Sequence, residues 1–249
     1  MKRIAIVIVV LAAAIAAYLT LQDKPSLIAV ENAKATTMMD GTVVIGLGIR
    51  NGGGPDELLG ASSPTGETVA IVNPEMGDVP LIVPGRSPVI LASDGVHFTL
   101  TGAEWEEGAF LPITLNFKNA GDVATRVENA GEASMMMHAL ANGIDETPAP
   151  RLSISPVTAP SADGFEIALQ TENFSFLKPD EGAPHVSGEG HGHVYLNGLK
   201  LGRAYADIFK VGALPSGKYT LTVGLYANSH QPYFNAGSPV STSLVFDIP

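Results

Sequence analysis

Four of the six histidines in this 249-residue chain stand beyond residue 150, at His185, His191, His193 and His230. His191 and His193 share the run HVSGEGHGHVYL, and strand alternation would put residues two apart on one side of the backbone, roughly 7 Å from each other. Two imidazoles at that separation can share one ion, because each binds at about 2 Å and the flanking glycines let the backbone adjust. His185 lies on the approach to the run and His230 follows a distant strand in ANSHQPY, so both are placed to complete a ligand set, with Glu189 as an oxygen donor. Imidazole suits copper, zinc and nickel alike. The competing reading is of water-satisfied histidines on a glycine-rich loop; the gathering of four out of six argues against it. Ordinary imidazoles titrate near a pKa of roughly 6.5, so acid should weaken such a site.

A second, weaker set is soft. Met135, Met136, Met137 and His138 are consecutive, and thioethers select Cu(I) over zinc. Methionines also cover apolar surface between domains, which is the alternative for this cluster. Met76 and His97 stand apart as further weak candidates. Cysteine is absent, which excludes a disulfide framework, a thiolate site, an iron–sulfur cluster and a cysteine nucleophile. The chain also lacks a Gly-x-Ser-x-Gly elbow, HExxH, a phosphate loop and a dinucleotide fingerprint. A non-enzyme is expected. The net charge of −11 makes nucleic acid an unsuitable partner.

The elements that would position these residues are strands. Apolar residues alternate in short runs bounded by Gly, Pro, Asn and Asp, at Thr42 to Ile49, Glu67 to Val72, Ser87 to Ala92, His97 to Thr101 and Leu111 to Phe117. The pattern resumes at Arg151 to Ser155, Phe165 to Gln170, His193 to Leu196, Leu199 to Ala204, Lys218 to Tyr226 and Ser241 to Ile248. Such spacing predicts an all-β chain of two sandwich or barrel domains. Asn197–Gly198 between VYL and LKL predicts a tight hairpin, since both residues tolerate positive φ. The expected organisation is 1–22 as a signal or anchor, 26–128 as a first β-barrel, 129–150 as a Met/His/Pro linker and 151–249 as a histidine-bearing sandwich.

Lys2 and Arg3 precede an unbroken apolar run from Ile4 to Leu21. The run reads as an export signal, and its length also approaches the roughly 20 residues of a spanning helix. Cleavage and retained anchoring both stay open. Either way the remainder is expected outside the cytoplasm, in the periplasm, tethered to the inner membrane by residues 4–21 if uncut.

The stretch from Ile28 to Val127, with IAVENAKAT, GTVVIGLGIRNGGGPDELLGASSP, ETVAIV, VHFTLTG and GAFLPITLNFKNAGDVATRVE, resembles the periplasmic copper chaperone family called PCuAC. The resemblance implies a cupredoxin-like barrel that delivers Cu(I) to cytochrome oxidase and related targets. The family's metal motif is a His, a downstream Met, and a His-x-Met pair. Matched position by position, the first His falls at Asn73, the second at His97 and its partner Met at Thr99, while Met76 in the shortened PEMGDVP hairpin substitutes for the middle Met. More loosely, the second half resembles C-terminal domains that accompany such chaperones, through TENFSF, GEGHGHVYLNG and ANSHQPY. That resemblance implies a copper site at His185, His191, His193 and His230, the chemistry having moved from the first barrel to the second.

Together these readings predict an exported copper chaperone or buffer, binding Cu(I) or Cu(II) with zinc as the other candidate ion, and supplying a cuproenzyme acceptor such as an oxidase subunit. Two alternatives stand beside it. One is a metal-free β-sandwich assembly module; the other is a copper-dependent redox enzyme.

Overall fold

A computed structural model describes residues 27–132, 143–178 and 184–249. The N-terminal apolar segment and the Met135 to His138 cluster lie outside the described residues. Within them every regular element is a strand, as the alternating pattern predicts.

The first half contributes β1 (Ile28–Thr37), β2 (Val43–Asn51), β3 (Asp56–Ser62), β4 (Thr68–Val72), β5 (Leu81–Val83), β6 (Ser87–Leu91), β7 (His97–Thr101), β8 (Phe110–Phe117) and β9 (Gly121–Glu132). The second contributes β10 (Ile144–Asp145), β11 (Arg151–Pro156), β12 (Phe165–Glu172), β13 (Ser175–Phe176), β14 (Glu189–Leu196), β15 (Leu199–Ala204), β16 (Ile208–Val211), β17 (Gly217–Ala227), β18 (Tyr233–Asn235), β19 (Ser238–Pro239) and β20 (Ser241–Ile248).

Strand β2 divides its pairing along its length. Its first residues, Val43 to Ile45, pair with β7, and Leu47 to Asn51 pair with β6. On its other edge it pairs antiparallel with β1, which in turn lies parallel to β9. This branching wraps the first half around Ile45, Leu47, Ile49, Val89, Phe98, Ile113 and Leu115, all buried. In β8 the burial alternates residue by residue, with Leu111, Ile113, Leu115 and Phe117 inward, the period-2 signature of a half-buried strand.

Pairing continues into the second half. Strands β20, β17, β14 and β15 lie in that order, and β15 meets β6 at Lys200 and Ile90. Val194, Leu196, Leu199, Leu221 and Val223 belong to the same buried cluster as Phe98 and Ile113. A smaller cluster of Phe174, Leu225, Ala227 and Tyr233 closes the other end of β17.

One buried carboxylate fixes a turn of the first half. Asp56, 2% exposed, accepts hydrogen bonds from the backbone N–H groups of Glu57 at 2.8 Å, Asn119 at 2.9 Å and Ala120 at 2.8 Å. Asp56→Ala strands these donors, and since charged hydrogen bonds contribute about 1.5–3 kcal/mol each, the variant is expected to lose about 3 kcal/mol in urea unfolding. A loss below about 1 kcal/mol would show that water replaces the carboxylate.

Candidate metal centre

The site is built on β14 and its two neighbours. Asn197 and Gly198 have φ of 49° and 83°, as the tight turn requires, so β15 folds back directly beside β14. Alternation along β14 sends Val194 and Leu196 into the core and His191, His193 and Tyr195 to the opposite face. That face is covered as well: His191 is 1% exposed and His193 3%. Tyr226 lies across from His191 on β17, and its ring stacks on His193 with centroids 3.8 Å apart and planes 18° from parallel. The Tyr205 ring centroid sits 5.6 Å from that of His191.

The two imidazoles converge. Their Nε2 atoms are 3.0 Å apart, far closer than their backbone spacing. On its far side His193 presents Nδ1 to Asp94 Oδ2 at 3.0 Å. Asp94 Oδ2 also accepts from the Tyr195 hydroxyl at 3.0 Å and from Lys200 Nζ at 2.5 Å. Lys200 Nζ is itself 3.0 Å from His193 Nδ1. An ammonium only donates, so His193 Nδ1 has two pairings open to it: as N–H it donates to Asp94, and as a lone pair it accepts from Lys200. In the pairing with Asp94, His193 Nε2 carries a lone pair. Whichever ring carries the proton between the two Nε2 atoms, His191 Nδ1 is buried and without a hydrogen-bond partner among the described residues.

Electrostatics hold the pair neutral. Burial, reinforced by the neighbouring His193 and His230, pushes the His191 pKa down to about 2. Burial likewise pushes His193 down to about 4, against the hydrogen bond to Asp94, which raises it. For Asp94, burial acts upward, but the His193 hydrogen bond and the Lys200 charge outweigh it and hold the carboxyl below its usual range. Neutral imidazole is the ligand form.

The donor set fits a metal ion. With bonds of about 2.05 Å, an Nε2 separation of 3.0 Å corresponds to an N–metal–N angle of about 95°, whereas linear two-coordination would need about 4.1 Å. An angle near 95° lies between the tetragonal and tetrahedral values of four-coordinate ions. Among the described residues no group of three or more His, Cys, Asp or Glu side chains comes together as a metal site. Among the described residues His230 is the nearest further imidazole: it sits at φ 66° in the turn after β17, its ring centroid 5.1 Å from His191 and 6.4 Å from His193.

The remaining sequence candidates are placed elsewhere. His185 Nε2 is 2.9 Å from Glu146 Oε1, and the other oxygen of Glu146 accepts from Gly188 N–H at 2.9 Å. This ties down the loop before β14. Glu189 begins β14, and its carbonyl accepts from the Tyr233 hydroxyl at 2.9 Å. His97 is half-buried on β7 with Nδ1 2.9 Å from Gly95 O. Met76 is half-buried and lines a groove with Glu75, Asp94, Tyr195 and Tyr226. Asn73, where the PCuAC motif has its first His, donates to Asn197 O at 3.0 Å and so fastens the first half to the hairpin of the second.

Sequence reasoning missed Asp94, Lys200, Tyr195 and Tyr226. Tyr195 was within reach of it, since His191, His193 and Tyr195 follow the strand period. Lys200 pairs with Tyr195 across the hairpin, a placement the turn residues imply. Asp94 sits about a hundred positions upstream in an ordinary Asp–Gly turn and carries no local signal.

Residues 28–129 match the family described as lipoprotein LpqE-like. This is the same stretch in which the sequence resembles PCuAC, and the match leaves the histidine-bearing half outside it. Among solved structures, the chain is similar to the apo PmoF2 PCuAC domain, at 22% identity over 44% of this chain and 96% of that one, with a TM-score of 0.35. It is also similar to the Clostridium thermocellum CbhA fibronectin(III)-like modules, at 8% identity over 89% of this chain and 94% of that one, with a TM-score of 0.26. A third similarity is to the secreted serine protease VesC from Vibrio cholerae, at 12% identity over 91% of this chain and 48% of that one, with a TM-score of 0.21. No curated protein matches the chain.

Proposed function

We propose that this protein is an exported copper-binding protein, a chaperone or buffer, that holds the ion between His191 and His193 and hands it to a cuproenzyme acceptor. The observation that carries the reading is the convergence of two buried, neutral imidazoles, Nε2 to Nε2 at 3.0 Å, with one of them backed by a carboxylate. A four-coordinate ion, Cu(II) before Cu(I), suits that spacing, and water or His230 fills the remaining positions. Few protein ligands make exchange with an acceptor fast, which a carrier needs and a storage cage does not. The resemblance of residues 28–127 to PCuAC points to the same cargo, and the match to a lipoprotein family supports export.

The second reading is a metal-free assembly module. On its side is the absence of a three-residue ligand group among the described residues; the 3.0 Å contact is then simply an imidazole hydrogen bond. Copper and zinc titration of the full chain in mild detergent, followed by paramagnetic resonance, decides between them. One copper per chain with nitrogen hyperfine structure is expected, lost in His191→Ala/His193→Ala. Absence of copper binding in the unaltered protein would sink the carrier reading, and unchanged stoichiometry in the double variant would move the site away from this pair.

A further inference from the structure

We infer that Asp94, a residue of the first half, is the positioning residue of the histidine pair in the second, so that docking of the two halves sets the affinity for copper. The inference rests on the copper reading above and adds to it a residue outside the ligand set and a coupling between halves.

Asp94 stands in the turn from β6 to β7, closed by Gly95 N–H to Ala92 O at 2.9 Å and Ala92 N–H to Val96 O at 3.0 Å. The turn is pressed onto the β14–β15 hairpin. Val96 N–H donates to Gly198 O at 3.2 Å, and Gly95 lies so close that a Cβ there would stand 2.9 Å from Gly198 O and 3.1 Å from the Tyr195 ring. Asn73 fastens the same hairpin from the neighbouring loop. The carboxylate therefore reaches His193 only while the halves are docked.

Its effect on His193 is specific. The carboxylate and the Lys200 ammonium stand equally close to Nδ1, each at 3.0 Å. By accepting from Nδ1–H and holding the ammonium to itself, Asp94 favours the tautomer whose Nε2 lone pair faces His191, orients the ring and makes that lone pair more basic. A carboxylate behind a ligating imidazole raises metal affinity by about 10- to 100-fold in sites of this kind. Coupling of this sort is reciprocal: if docking tightens copper binding, copper tightens docking by the same factor. Release of the ion to an acceptor would then be aided by anything that lifts the Asp94 turn off the hairpin.

Lys200 complicates the simplest variant. It is 4% exposed with Asp94 as its ion partner, so removing the carboxylate alone leaves a buried ammonium unpaired. Asp94→Asn keeps the shape of the side chain, and Asp94→Asn/Lys200→Met removes both charges together. Copper affinity of the full chain, measured by competition with a chromophoric chelator, is expected to fall about 10- to 100-fold in both variants, with altered copper hyperfine coupling and partial recovery in Asp94→Glu. A purely structural role would lower the urea midpoint and leave the resonance parameters of bound copper unchanged. Wild-type affinity and spectrum in both variants overturn the inference while leaving the copper reading intact. Failure of the unaltered protein to bind copper overturns the copper reading, and this inference with it.

Discussion

Gly190→Ala is expected to destabilise the protein by at least about 3 kcal/mol, the upper end for overpacked sites, and to remove, together with the fold around β14, the copper binding proposed for the histidine pair. Gly190 pairs with Ala227 across β14 and β17. A Cβ on Gly190 would stand 2.0 Å from Tyr226 O, 2.9 Å from Tyr226 C and 3.1 Å from Ala227 Cα. All three are backbone atoms, so no rotamer change relieves the collision and the strands must separate. Separation moves Tyr226 off His193 and takes Ala227 and Tyr233 out of the small cluster beside the site. Gly60→Ala is the matched control, because a Cβ there meets nothing within 4 Å; it is expected to change stability by less than about 1 kcal/mol. Urea unfolding and copper stoichiometry of both variants check the contrast. If Gly190→Ala matches Gly60→Ala, strand spacing at the site is far more yielding than close packing allows.

The core of this molecule was legible because its strands keep one face inward. Leu111 to Phe117 and Lys218 to Tyr226 alternate cleanly and became β8 and β17, and Thr42 to Ile49, which alternates from Ile45 onward, became β2. The hairpin at Asn197–Gly198 was legible for a different reason, the positive φ that few residues tolerate. Strands β1 and β9 escaped notice. Their segments IAVENAKATT and GDVATRVENAGE carry charged and amide side chains among the apolar ones, and β1 is further irregular, with a break in register between Glu31 and Lys34. Same-side placement of His191 and His193 followed from the strand period, but their contact depends on which way each ring turns. Tyr226, Tyr205 and Asp94 decide that, from other strands and from the other half. The positions that carry metal in the PCuAC motif illustrate the point further. Asn73 holds a hairpin carbonyl, and His97 bonds the carbonyl of Gly95 in the Asp94 turn. In the first half the edge on which the PCuAC motif positions fall is a docking edge against the hairpin of the second half.

Acid should unfold the metal-free protein through the same histidine pair. His191 and His193 have folded pKa values pushed down to about 2 and about 4 by burial, whereas in the unfolded chain both return to roughly 6.5. Protons therefore bind the unfolded state preferentially throughout that window. Stability is complete above the unfolded pKa and falls as pH drops below it, at up to about 1.4 kcal/mol per pH unit for each group. Between pH 7 and pH 4 the loss is expected to be on the order of 5 kcal/mol. The groups facing the pair do little to rescue it: Lys200, Arg203 and His230 oppose added positive charge, and of the acids Asp94 alone favours it, at His193. The same burial revises the expectation from ordinary imidazoles that ligands become protonated near pH 6.5. His191 and His193 stay neutral well below that, so copper that reaches them is displaced by protons only as pH approaches 4, or when the protein opens. Urea unfolding at pH 7, 6, 5 and 4, beside His191→Gln/His193→Gln, measures the effect. A wild-type slope that the double variant does not share is the expected result; equal stability at pH 7 and pH 5 would mean that the pair titrates like exposed imidazole, and the buried neutral site would have to be given up.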